Sequence, residues 1–247
     1  RLSARSAGEA TGGRRAIVLL HGWAMDQRLF EFQIEALARH FHVVTWDRRG
    51  CGRSTGTPAL GAALDDLDAV AGTLIGDEPF HLLGMSQGGR VALRYAAAHP
   101  RRIRSLLLQG PGVDGITEQG PAEERIPVAQ FTRLARHGDL AALRASWLRH
   151  PLMRLDATQG AAADLVRRMV DDYRGADLLH PDPGPPPAAD VVAAVAAAGI
   201  PVLLLTGARE TASRRRVAGQ LLARIPDCRE VEFAASGHLA NLTEPGA

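Results

Sequence analysis

The sequence predicts an α/β fold: a mostly parallel sheet flanked by helices, with a helical insertion in its second half. Three observations lead there. Short apolar runs of strand length alternate with amphipathic stretches of helix length, the rhythm of parallel strands joined by crossover helices. Two strand-like runs, Ser105–Gln109 and Pro201–Thr206, stand about 90 residues apart, whereas a parallel crossover needs only a dozen or more. Finally, Gly84-Met85-Ser86-Gln87-Gly88-Gly89 falls where a strand ends and a helix begins.

In chain order, Leu2–Ser6 reads as an edge strand and Ala16–Leu20 as a fully buried one. Arg28–His40 places apolar residues at three- and four-residue spacing and is a helix. Strand His42–Trp46, helix Leu64–Gly76, strand Phe80–Gly84, helix Gln87–His99 and strand Ser105–Gln109 follow. The surplus before the next strand reads as helices Ala122–His137, Asp139–His150, Thr158–Tyr173 and Ala188–Ala198. Asp182-Pro183-Gly184-Pro185-Pro186-Pro187 is too rich in proline to be helical. Strand Pro201–Thr206, helix Ser213–Arg224 and strand Arg229–Phe233 complete the pattern. The expected organisation is one sheet domain, residues 1–111 and 200–247, carrying a helical cap over 112–199. A length of 247 residues suits that arrangement.

Composition narrows the function classes. With 46% hydrophobic and 23% charged residues, the chain can bury an ordinary globular core. No run approaches the roughly 20 apolar residues that span a bilayer, so no membrane partner is expected. A formal charge of +2 gives no reason to expect nucleic acid. All 29 basic residues are arginine, which excludes Schiff bases, Walker-type phosphate loops and Ser–Lys dyads. Cys51 and Cys228 form neither a disulfide framework nor a zinc spacing, so no metal and a cytoplasmic setting are expected. The chain opens at Arg1 rather than Met, which leaves a removed leader open, and Thr243–Ala247 reads as the start of a further helix.

The Gly-x-Ser-x-Gly pattern carries the chemistry. A strand-to-helix turn this tight strains the central residue and accepts only small residues two positions either side, where Gly84 and Gly88 stand. It lifts the Ser86 hydroxyl at the carboxyl end of the strands, where open α/β sheets bind ligands.

With these residues the chain resembles the α/β-hydrolases, in particular the cap-bearing bacterial type that includes enol-lactone hydrolases, the methyl esterase of biotin synthesis and cofactor-free haloperoxidases. The resemblance covers nearly the whole chain, the cap matching in position and helical character alone. It implies Ser86 as nucleophile and His238, in Ser236-Gly237-His238-Leu239, as general base. His21-Gly22-Trp23 resembles the segment that supplies one oxyanion N–H, here Trp23; Gln87, after the nucleophile, supplies the other. His21 itself is then a brace for the loop. The acid is expected in a Gly-x-x-Asp pattern, and this chain has Gly207-Ala208-Arg209-Glu210, so Glu210 takes the place with one extra methylene. Asp114, following Ser105–Gln109, is the alternative acid. Trp23 and Met85 are candidates for the acyl pocket, Trp23 serving equally well as core.

Asp47-Arg48-Arg49-Gly50-Cys51-Gly52-Arg53-Ser54 resembles a structural loop of the same family, with Cys51 where relatives often carry an aromatic residue or histidine. Phe131, Trp147, Leu148, Leu152, Met153 and Met169 form a pool that either faces substrate or packs the cap's own core. The expected activity is hydrolysis of a carboxylic ester or lactone, a small-molecule substrate, through an acyl-enzyme and without a cofactor. The alternatives are an enol-lactone hydrolase, a perhydrolase or haloperoxidase, a thioesterase, and a ligand-binding protein on the same fold.

Overall fold

The computed structural model describes residues 1–8, 15–116, 120–155, 160–182, 184, 186, 187 and 189–247. The apolar runs become β1 (Ser3–Ala7), β2 (Ala16–Leu20), β3 (His42–Asp47), β4 (Phe80–Met85), β5 (Ile103–Gln109), β6 (Val202–Gly207) and β7 (Cys228–Phe233). They form one sheet in the order β1-β3-β2-β4-β5-β6-β7. Only β1 runs antiparallel, pairing Ser3 with Asp47. The chain builds outward from β2 to one side, then crosses back to β4 on the other. That reversal opens a crevice at the carboxyl ends of β2 and β4.

Helices α1 (Glu31–Ala38), α2 (Ala63–Leu74), α3 (Gln87–Ala98) and α9 (Ala212–Arg224) fill the expected crossovers. The start of the first differs. The Asp26 side chain accepts the Arg28 N–H at 2.9 Å and caps a 3-10 turn over Gln27–Phe30, so α1 begins only at Glu31. Between β5 and β6 lie α4 (Val128–Arg136), α5 (Leu140–Leu148), α6 (Gly160–Asp172), α7 (Ala176–Leu179) and α8 (Val191–Ala197). Pro127 explains why α4 starts late: it lacks an N–H, and Ala122–Glu124 is a separate 3-10 turn. Helix α7 has no sequence signal beyond Gly175, whose left-handed backbone (φ 68°) starts it. The first residues of the expected helix 158–173, Ala188 of the expected helix 188–198, and Pro183 and Pro185 lie outside the described residues. At the carboxyl end a short helix, α10 (Ala240–Thr243), precedes Glu244 rather than following it.

Strand side chains alternate between faces, and each face has its own cluster. Val18, Leu20, Val44, Leu82 and Leu106 pack with α2, α3 and α9. Ile17, Leu19 and Val43, on the other face, join Leu29, Phe30 and the inserted Phe131, Trp147, Leu165 and Met169. Each such fully buried leucine contributes about 2 kcal/mol. Helix α8 is the exception within the insertion: Val191, Val192 and Val195 belong to the first cluster, against α3. No helix among the described residues is long and apolar enough to cross a membrane.

Candidate active site

Ser86 sits between β4 and α3 with φ 55° and ψ −115°, a backbone conformation that L-residues rarely adopt. The elbow closes because nothing projects from its flanks: a Cβ on Gly84 would stand 2.5 Å from the Gly88 carbonyl oxygen. The Ser86 N–H donates to Gln109 O (2.9 Å) and its carbonyl accepts the Gly112 N–H (3.0 Å), so the turn is stitched to the end of β5. Ser86 is 8% exposed and lines a cavity of about 650 Å3.

His238 follows β7 and is 4% exposed. Its Nδ1 lies 2.6 Å from Glu210 Oε2, after β6. Glu210 Oε1 accepts the Thr211 N–H (2.7 Å) and hydroxyl (3.2 Å), so both carboxylate oxygens are committed. Burial opposes ionisation of Glu210, but the facing His238, the Thr211 N–H and Arg214 outweigh it and hold the carboxyl below its ordinary value. Gln109 Nε2 donates to His238 O (2.8 Å) and Asn241 Oδ1 (3.0 Å), tying the histidine loop to the end of β5, to which the Ser86 turn is also stitched.

Gly110 is the hinge of this arrangement. It has φ 48°, and a Cβ there would stand 2.5 Å from both Cε1 and Nδ1 of His238 and 2.8 Å from Glu210 Oε2. Gly110→Ala is therefore expected to push the imidazole aside and to cost at least about 1 kcal/mol of stability. Denaturant unfolding and kcat of the purified variant check both. A displacement of about 1 Å in the ring corresponds to a loss of about 100-fold.

On the other side of the crevice, His21 is fully buried. Its Nε2 accepts the Arg48 N–H (3.0 Å), so Nδ1 carries the proton and donates to Gly22 O (2.9 Å). Burial and the Arg48 charge push its pKa down to about 3, which leaves a neutral brace. Among the described residues, the N–H groups of Trp23 and Gln87 donate to no protein acceptor. The Trp23 ring stacks on Phe131 at 5.9 Å, meets Trp147 and Tyr173 edge-on, and donates its indole N–H to Asp177 at 2.5 Å. It is both cavity wall and packing. Met85 differs from expectation: it is 2% exposed and does not line the cavity, because the last side chain of β4 is buried in the cluster of Ile17, Leu19, Phe131 and Trp147. Asp114 is held by Arg94 at 2.6 and 2.9 Å, and Arg90 lies 3.8 Å away. The structure brings Glu210, not Asp114, to His238.

The Asp47 loop is bonded as scaffolding: Asp47 accepts the Gln27 and Arg53 N–H groups, both at 2.9 Å. Burial pushes the Cys51 thiol up to about 11 despite Arg48 beside it, so it stays protonated. Phe131, Trp147, Leu152, Met153 and Met169 are buried among one another and Leu148 packs against them; none lines the cavity. Among the cavity residues that sequence reasoning missed, three contrast in how readable they were. Arg90, four positions after Ser86 on one helix face, carried a readable signal. Asp177 and Tyr173, bonded to each other at 2.6 Å, carried none.

Residues 15–245 match the family model described as the alpha/beta hydrolase fold. The chain belongs to the α/β hydrolase family. This α/β hydrolase is 29% identical to the pimeloyl-[acyl-carrier protein] methyl ester esterase of Chromobacterium violaceum, over 93% of this chain and 89% of that protein. Among solved structures it is similar to a thermophilic esterase from Thermogutta terrifontis (TM-score 0.78, 23% identity, 99% of this chain and 88% of that one). It is also similar to the enol-lactonase from Burkholderia xenovorans (TM-score 0.75, 24% identity, 97% and 90%). At such identities the structural likeness shows the shared fold.

Proposed function

We propose that this α/β hydrolase cleaves carboxylic esters or lactones through an acyl-enzyme on Ser86. The observation that carries the reading is the strained Ser86 turn stitched to the same strand end as the buried His238–Glu210 pair. His238 takes the Ser86 proton as Oγ attacks the ester carbonyl, and the oxygen, now negative, is held by the Trp23 and Gln87 N–H groups. Collapse breaks the C–O bond, and His238 returns the proton to the departing alcohol. Water, deprotonated by His238, then releases the acid and regenerates Ser86. Glu210 holds the ring with its proton on Nδ1 and stabilises the imidazolium. No step calls for a cofactor. The esterases and lactonase among the relatives support this substrate class. Residues 112–199 act as a cap in this reading, with α4 and α7 roofing the cavity through Val128 and Leu178 while α8 anchors the insertion to the sheet.

The test is incubation with a fluorophosphonate, followed by intact mass and peptide mapping, and a panel of esters, lactones and thioesters. A single adduct on Ser86 with ester or lactone turnover is expected. Ligand binding with neither adduct nor turnover would replace the reading by a binding protein.

The cavity's charge points to an anionic substrate. Its described lining includes Arg48, Arg49, Arg90, Arg125, Arg136 and Arg214 against three aspartates, of which Asp66 is paired with Arg49 at 2.5 Å. Arg90 stands one turn after Ser86; its Nε makes no hydrogen bond and lies 3.8 Å from Asp114, whose carboxylate is bonded to Arg94. The p-nitrophenyl monoester of glutaric acid, with a free carboxylate, is expected to have a lower KM than the uncharged pentanoate. Arg90→Met should raise that KM by about 10-fold or more, as for loss of a charged hydrogen bond, and leave the pentanoate unaffected. Equal KM values for both esters in the wild type would rule this preference out.

A further inference from the structure

Arg48 is a buried cation that the reaction scheme leaves unused. It follows β3 and is 8% exposed. It has no carboxylate partner within ion-pair distance among the described residues, whereas its neighbour Arg49 holds Asp66 through two bonds. Its Nε is buried without a hydrogen-bond partner. A guanidinium taken out of water in this way is unfavourable unless its charge is put to use.

Its bonds show where the charge is directed. Nη2 donates to Gly22 O at 3.0 Å and to Gln87 Oε1 at 2.7 Å. The Gly22 carbonyl and the Trp23 N–H belong to one peptide unit. A charged donor on that oxygen draws electron density through the planar amide and makes the N–H a stronger donor. Gln87 carries the other oxyanion N–H. A single guanidinium group thus reaches the peptide unit that carries the Trp23 N–H and the side chain of Gln87, and the Arg48 main chain also fixes His21, which in turn bonds Gly22 O.

We propose that Arg48 is a positioning residue of the oxyanion site: it polarises the Gly22–Trp23 peptide, fixes Gln87, and sets a positive charge behind the oxygen that becomes negative. The proposal rests on the hydrolase reading above. It assigns Arg48 an effect confined to the transition state, since the neutral ester carbonyl gains little from this charge and the oxyanion gains much.

The experiment compares kcat and KM of wild type, Arg48→Met and Arg48→Lys with p-nitrophenyl acetate, alongside inhibition by phenylboronic acid, whose Ser86 adduct is tetrahedral and anionic. For Arg48→Met, kcat should fall about 10- to 100-fold, less than or similar to deleting an oxyanion donor, with KM within about twofold. The boronate should weaken by a similar factor. Arg48→Lys, which keeps the charge, should recover part of both. An unchanged kcat in folded Arg48→Met overturns the proposal. So does a raised KM at constant kcat, which would make Arg48 a substrate-binding group. So do equal losses in both variants with unchanged boronate affinity, which would make its role structural. If Arg48→Met does not fold, Arg48→Gln, neutral but able to donate, decides: full kcat overturns the proposal, and a kcat loss with matching boronate loss supports it. Failure of the hydrolase reading looks different: wild type itself then forms no fluorophosphonate adduct.

Discussion

Ser86→Ala should lower kcat by about 10 000-fold or more with the fold intact, as deletion of a nucleophile does in serine hydrolases. Its thermodynamic companion is as informative. Ser86 holds φ 55° and ψ −115°, which stores strain of about 1–3 kcal/mol. Alanine inherits that strain because it keeps the Cβ. Glycine does not, so Ser86→Gly is expected to be equally inactive yet about 1 kcal/mol more stable than Ser86→Ala, despite the greater entropy of its unfolded chain. Urea unfolding of the two variants measures the difference. If Ser86→Ala retained wild-type turnover, the nucleophile would lie elsewhere. If glycine were no better than alanine, the turn would be unstrained.

The fold was readable because its information is local. Ala16–Leu20 is apolar throughout, and β2 buries all five of its residues. The turn at Ser86 is legible for the same reason, its glycines standing within two residues of it. Glu210 and His238 are implied by the resemblance of their loops to the family's, with Asp114 kept as the alternative acid; that Glu210 bonds His238 while Arg94 bonds Asp114 is visible only in the structure, because the partners come from different elements. What stayed hidden is what depends on the packing of distant segments. Met85 points into the core because of strand alternation at the end of β4, a phase that the motif does not specify. Arg48 was read within a scaffold loop because its partners, Gly22 and Gln87, come from two other strand ends. Helix α7, which supplies Asp177 to the Trp23 indole, is four residues long, too short for any periodicity to register.

Glu210→Gln should be as damaging as Glu210→Ala or more so, although it is the smaller change. The reason is the pattern of donors around the carboxylate. Oε1 accepts both the N–H and the hydroxyl of Thr211, and Oε2 faces His238 Nδ1 at 2.6 Å. A glutamine keeps its oxygen on the Thr211 N–H, which has no other acceptor there, and so turns its NH2 group toward Nδ1. The ring must then carry its proton on Nε2 and cannot take one from Ser86. Locking the wrong tautomer costs about 10 000-fold in kcat in serine proteases. Glu210→Asp keeps the charge but withdraws the carboxylate by about 1.5 Å, one methylene, and should lose about 100-fold. Asp114→Asn should leave kcat within about twofold, its side chain being spent on Arg94. The same carboxylate sets a pH signature. Its folded pKa lies below the ordinary 4.5, so its stabilisation is complete above that value and is lost as pH falls through the folded one. Between pH 6 and about pH 3, wild type should therefore lose more stability than Glu210→Gln, which has no carboxyl to protonate. Parallel pH profiles of unfolding free energy for the two proteins would mean that Glu210 is not held ionised by His238, and a Glu210→Gln enzyme with near-wild-type kcat would mean that it does not set the tautomer.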